Sequence, residues 1–256
     1  MNLKYFLQKY LQERPLFLSL IRAKEAELYQ KHLPLKKPTL DIGVGDGFFA
    51  KVTFGNSLVD VGLDLPDSRI DEARKFGIYK KLIIYDDGKI PFSSRSFQTV
   101  VSNCVLEHIL NLELTINEVY RVLRPGGIFL TTVMAKPWEE NLFGAKILGD
   151  FYKRWIRKKQ IHKNLFTVEE WDKTFQKAGF HISSRVGYLS PKACQLIDIC
   201  HYLSIPSLIS YKLLGKWVFL PQIAQYIYPI KYFSQILSQK VLANQAGAIF
   251  YVLQKK

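Results

Sequence analysis

Between Thr39 and Val133 short apolar runs alternate with helical patterns, and that alternation confines the chain to an α/β architecture. Thr39–Ile42 reads as a strand, and Phe48–Phe54 as a helix closed by Gly55. Leu58–Leu63 is a second strand closing on Asp64, and Ser68–Phe76 a helix stopped by Gly77. Leu82–Tyr85 and Thr99–Ser102 are further strands, the latter after the turn Pro91–Ser96. Glu113–Leu123 repeats apolar residues at helical spacing, Arg124-Pro-Gly-Gly127 ends it, and Ile128–Val133 is a fifth strand. Strands separated by helices of this length require right-handed crossovers and a mostly parallel sheet covered on both faces.

The flanks read differently. Residues 1–37 form an N-terminal helical extension: Leu3, Phe6, Leu7, Tyr10 and Leu11 share one helical face, Pro15 interrupts, and Phe17–Tyr29 resumes. Residues 38–190 make the core, with a lid-like, aromatic and basic segment at 134–165. Within it Thr167-Val-Glu-Glu-Trp171 spells a capping box at a helix start. An apolar helical cap or insertion follows at 191–245, and 246–256 supplies the final strand. Charge divides along the same lines. Residues 38–133 carry ten basic side chains against twelve acidic ones, whereas 1–37, 134–165 and 191–256 carry net charges of +5, +5 and +6. Such flanks fit acidic partners such as anionic lipid or nucleic acid. Cys104, Cys194 and Cys200 are too few and scattered for a disulfide framework or a metal pair, and the N-terminus has no signal-peptide pattern, so the expected compartment is a reducing cytoplasm.

The first strand runs into Asp41-Ile-Gly43-Val-Gly45-Asp-Gly47. Glycines at that place let the backbone turn tightly and approach a ligand. A dinucleotide fingerprint counted from Gly43 needs a third glycine at 48, and Phe48 stands there. The spacing is instead D-x-G-x-G-x-G, which resembles class I S-adenosylmethionine (SAM) dependent methyltransferases of the broad type 11, UbiE-like group. Matching segments follow in order over residues 38–135: Gly62-Leu-Asp64-Leu65, Tyr85-Asp86-Asp87-Gly88, Ser96 to His108, and Arg121-Val-Leu-Arg-Pro125-Gly-Gly127. The resemblance implies a doubly wound, mostly parallel, seven-stranded Rossmann-like sheet, with N-terminal helices and a helical insertion before the last strand.

It also implies a SAM site on Asp41, Gly43, Gly45, Gly47, Asp64, Leu65, Asp86, Asp87 and Asn103. Asp64 resembles the acid that accepts both ribose hydroxyls, a pairing that suits the two oxygens of a carboxylate. Asp86, with Asp87 as the near alternative, resembles the acid that meets the adenine amino group. The strand-four segment carrying Asn103 resembles the part that faces the methyl group. Gln98 stands where the family commonly has Asp. Some quinone-pathway relatives bind a divalent metal through an acid ahead of Leu-Glu-His; Cys104 is there in this chain, so no metal is expected.

Methyl transfer from SAM is an in-line displacement for which the protein supplies orientation and a dry site. His108 is the first candidate base if the acceptor must lose a proton, against an equally simple reading as a structural histidine. His162 and Tyr152 are weaker candidates. The expected acceptor is a small or lipid-like molecule. Runs such as Ile199–Tyr211 and Trp217–Ile230 are too short to span a bilayer, and their interleaved lysines and aromatics suit helices lying in a membrane interface. A cap over the active site, or a homodimer surface, explains the same pattern. RNA methylation, through the cluster Lys153-Arg-Trp-Ile-Arg157-Lys-Lys159, and a non-catalytic SAM-binding interaction protein are the alternatives.

Overall fold

The computed structural model describes every residue except Asn56, Asp67 and Asp87, and of Ala224 and Gln225 only the backbone. The strands are β1 (Thr39–Ile42), β2 (Val59–Asp64), β3 (Tyr79–Ile84), β4 (Phe97–Asn103), β5 (Leu123–Met134), β6 (Phe180–Tyr188) and β7 (Ala248–Lys255). The helices are α1 (Leu3–Leu11), α2 (Leu16–Gln30), α3 (Phe48–Phe54), α4 (Ile70–Lys75), α5 (Leu112–Val122) and α6 (Pro137–Glu140). They continue with α7 (Phe143–Lys159), α8 (Val168–Lys177), α9 (Pro191–Leu203), α10 (Ile205–Leu214), α11 (Pro221–Ile227) and α12 (Ile230–Leu237). Two compact units divide the chain: residues 1–31, 136–160 and 187–248 in one, and residues 32–135, 161–186 and 249–256 in the other.

The second unit carries nearly all of a seven-stranded sheet in the order β3-β2-β1-β4-β5-β7-β6. β1 pairs in parallel with both β2 and β4, so the strand order reverses there and a crevice opens beyond the carboxyl ends of β1 and β4. The core strands are continuous apolar runs because both sheet faces are covered; every residue of β1 is buried. Two boundaries differ most from the sequence reading. β3 begins at Tyr79, ahead of exposed Lys80 and Lys81, since a strand at the sheet edge tolerates charge on its open faces. β5 begins at Leu123, opposite Phe97, and a register shift between Phe97 and Thr99 absorbs the Arg-Pro-Gly-Gly segment. The capping box forms as expected: the Thr167 hydroxyl accepts from the Glu170 amide, and the Glu170 carboxylate accepts from the Thr167 amide.

The other unit is helical. The stripe Leu3, Phe6, Leu7, Tyr10 and Leu11 is buried along α1, and the Asn2 side chain caps its first turn. Glu25 of α2 is fully buried but satisfied, by Arg22 at 2.7 Å and by the Tyr188 hydroxyl at 3.0 Å. The three separate flanks of the sequence thus meet in one body, whose net charge is +11 (eighteen basic, seven acidic residues) of the chain's +14.

Candidate active site

The glycine loop is stitched to the end of β2. Gly43 and Val44 donate their amides to the Leu63 carbonyl at 2.9 and 3.3 Å, and Gly45 donates to the Asp64 carboxylate at 2.5 Å. Gly43 has φ of +78°, and a Cβ there would lie 2.3 Å from Val105 Cγ2, so both conformation and packing demand glycine. Gly47, also left-handed, stands at the N-terminus of α3.

A pocket below this loop is lined by Ile42, Gly43, Asp64, Leu65, Tyr85, Val105, His108 and Ile109. Each oxygen of Asp64 accepts one backbone N–H, from Gly45 and from Leu65 (2.8 Å). Two further lone pairs remain, which is the acceptor pattern that two vicinal hydroxyls require. Burial pushes the Asp64 carboxyl above the usual range, and these two amides pull it back. Asp41, behind the loop, is buried and accepts from the Tyr79 hydroxyl at 2.6 Å. Burial drives its carboxyl up to about 7, against the pull of the Tyr79 hydrogen bond and with help from the nearby Asp64 charge.

Gly43, Asp64, Leu65 and His108 therefore converge on one pocket, with Gly45 bonded to its acid. Asp86 is exposed and accepts from the Gly88 amide at 3.3 Å; it is not among the pocket-lining residues. Asp87 lies outside the described residues. Asn103 ends β4 with its Oδ1 accepting from the Thr132 hydroxyl at 2.9 Å. His108 sits on a single 3-10 turn, Leu106–His108, and its Nδ1 donates to the Ile161 carbonyl at 3.2 Å. His162 lies near it with the rings tilted, centroids 5.2 Å apart, and both lie beside the buried Glu107. Tyr152 belongs to the helical unit, where its hydroxyl donates to Asp198 at 2.5 Å. Burial and that bond push its ionisation far upward, which removes it as a base. Tyr85 and Val105 lie in the matched segments but were given no role, and Ile109 lies just beyond them; all three follow strand ends, and only the strand order shows that they face the loop.

A methyltransferase-domain family profile matches residues 40–131, the segment from β1 into β5. An uncharacterized protein of Methanocaldococcus jannaschii is 30% identical over 63% of this chain and 72% of its own length. The chain belongs to the class I SAM-dependent methyltransferases. A malonyl-[acyl-carrier protein] O-methyltransferase of Enterobacter lignolyticus is 29% identical over 45% of this methyltransferase, which spans about half (47%) of that relative's length. The fold is that of a SAM-dependent methyltransferase from Thermotoga maritima, with a TM-score of 0.61, 19% identity, and coverage of 94% of this chain and 92% of the other.

Proposed function

We propose that this methyltransferase transfers a methyl group to a small or lipid-like acceptor by in-line displacement, and that it meets that acceptor at an anionic membrane surface. The observation that carries the second half is α10, which buries none of its residues although its sequence is Ile-Pro-Ser-Leu-Ile-Ser-Tyr-Lys-Leu-Leu. Leu213 is 77% exposed, and Phe219, Tyr226 and Ile227 are exposed nearby in sequence. Exposed apolar surface of this extent marks a docking site. Its occupant is indicated by charge: from Ile199 to Ala248 there are four lysines and no acidic residue, in a unit that is already strongly basic. Apolar side chains interleaved with lysine suit the headgroup boundary of an anionic bilayer. Among the described residues no helix is long and apolar enough to cross a membrane, so the contact proposed is with one leaflet.

SAM, when bound, supplies the methyl group on a sulfonium leaving group. The chain's part is to hold and orient. Asp64 would accept the two ribose hydroxyls, while the left-handed turns at Gly43, Gly45 and Gly47 shape the loop that would hold the cofactor. Leu65 and Ile109, which line the pocket, would lie against the nucleoside, with Asp86 proposed for the adenine amino group and Asn103 for the methyl side. Asp41, through Tyr79, fixes the loop from behind. His108, whose Nδ1 is paired with the Ile161 carbonyl and which lines the pocket, is the side chain proposed to take a proton from a hydroxyl acceptor.

The test is to supply radiolabelled SAM to a fractionated lysate and follow the label, alongside flotation with phosphatidylglycerol/phosphatidylcholine vesicles. Label in the lipid or small-molecule fraction, with vesicle binding that weakens as salt rises, is the expected result. Label in RNA, or no binding to anionic vesicles at low salt, would sink the proposal.

A further inference from the structure

Helix α7 has two sides of opposite character. On one, Ala145, Tyr152 and Ile156 are buried where the helix packs on α6 and α9. Polar ties hold that side in place. Asp198 of α9, itself buried, accepts from the Gly144 amide at 2.9 Å and from the Tyr152 hydroxyl at 2.5 Å. Arg157 pairs with the buried Glu139 of α6, and the Trp138 indole donates to Gln160 at 2.9 Å, just past the helix end. The other side is turned outward, and it is apolar where a solvated face would be polar. Phe143, Ile147 and Leu148 are exposed before the kink at Gly149 (φ +55°), and Phe151 and Trp155 are exposed after it. Ile147 is 65% exposed and Phe151 67%.

We propose, building on the membrane contact assigned above to α10, that α7 lies in the same anionic leaflet, so that the protein docks on two helices and the cluster Lys153–Lys159 meets lipid phosphates. Continuity with α10 is the first support. Trp155 lies against Tyr152, ring centroids 5.5 Å apart, and the Tyr152 hydroxyl is 2.6 Å from that of Tyr202. Tyr202 is exposed near the end of α9, followed by exposed Leu203 and, after Ser204, by α10. Charge is the second. Residues 143–159 hold six basic side chains and one acidic, a net +5. Lys153 is paired with Asp150 at 3.0 Å and Arg157 with Glu139, while Lys146, Arg154, Lys158 and Lys159 are exposed. Such a face repels a second copy of itself. A nucleic acid strand would use the basic residues and Trp155, but it has nothing to set against Ile147 and Leu148. A leaflet takes both, acyl chains against the apolar rows and phosphates against the basic side chains. Among the described residues no helix can cross a bilayer, so α7 lies in the interface.

The test is flotation of the full chain with phosphatidylglycerol/phosphatidylcholine vesicles, joined to the fluorescence of Trp155. Ile147→Glu with Phe151→Glu should weaken vesicle binding at least about 10-fold. Arg154→Glu with Lys158→Glu should weaken it by roughly as much and flatten its dependence on salt. The emission of Trp155, taken as the difference between the wild type and Trp155→Phe, should be quenched by lipids brominated high on the acyl chain. A thermal melt checks each variant, and the quenching carries the test if a double variant fails to fold. Unchanged flotation of folded Ile147→Glu/Phe151→Glu, or Trp155 emission untouched by brominated lipid, would overturn the placement of α7. The α10 contact would survive that result if Ile209→Glu with Leu213→Glu still weakens flotation. A wild type that does not float at low salt would remove both contacts.

Discussion

The two units solve opposite problems. The sheet unit carries a net charge of only +3, buries its central strand β1 throughout, and brings Gly43, Asp64 and His108 to one pocket. The helical unit carries +11, seals its interior with α1, α2 and α9, and leaves α10 with no buried residue. In the first, apolar surface is consumed by folding; in the second, a large part is held back. The proposed function sets cofactor chemistry and partner choice on separate parts of the chain, so variants in one unit should leave the other's readout untouched.

The largest expected effect breaks that separation if it is wrong. Asp64→Ala removes two hydrogen bonds to a charged acceptor, about 1.5–3 kcal/mol each, so calorimetry should show SAM binding weakened at least 100-fold with vesicle flotation unchanged. The reciprocal change comes next. Ile209→Glu with Leu213→Glu removes two exposed anchors and adds repulsion; at about 1.5 kcal/mol or more each, vesicle affinity should fall at least 10-fold while SAM affinity stays as it was. A parallel loss of SAM binding would show that the two roles are not separable. Gly43→Ala sets a Cβ against Val105 in a left-handed conformation and should cost about 2 kcal/mol of stability, seen as a lowered melting temperature.

The smallest effect sharpens the picture of the loop. Asp41 in the folded chain has its carboxyl raised from 3.8 to about 7. A raised acid binds its proton more tightly when folded, so its contribution to stability is greatest below the unfolded value and is lost as pH rises towards 7. Asp41→Asn removes that dependence while keeping an oxygen for Tyr79. It should be nearly neutral at pH 4 and stabilising at pH 8, with the difference growing between those limits; a pH-independent difference would contradict the assignment.

Much of the sheet unit was legible because its signals are local. Glycines follow β1, Asp64 closes β2, and the capping box at Thr167 lies within one turn, so spacing alone located them. Where the reading failed, longer-range forces decided. Lys80 and Lys81 hid the start of β3, since only its place at the sheet edge allows them. Tyr152 was read as a candidate base from its position after the fifth strand, yet its hydroxyl is committed to Asp198. The gathering of 1–31, 136–160 and 187–248 into one body left no periodic signature, because tertiary burial between distant helices carries none.

One detail of the strand order bears on how such a chain can be altered. β6 and β7 are neighbours, and the Gly247 amide donates to the Leu189 carbonyl at 2.9 Å, so the excursion between them leaves and returns at a single point. Its ends are pinned whatever lies between. For a closed segment on the order of sixty residues, doubling the length adds only about 0.6 kcal/mol of closure entropy. The excursion can thus be lengthened or shortened between fixed ends, provided that the buried faces of α9 and α12, which pack on α2 and α1, are kept.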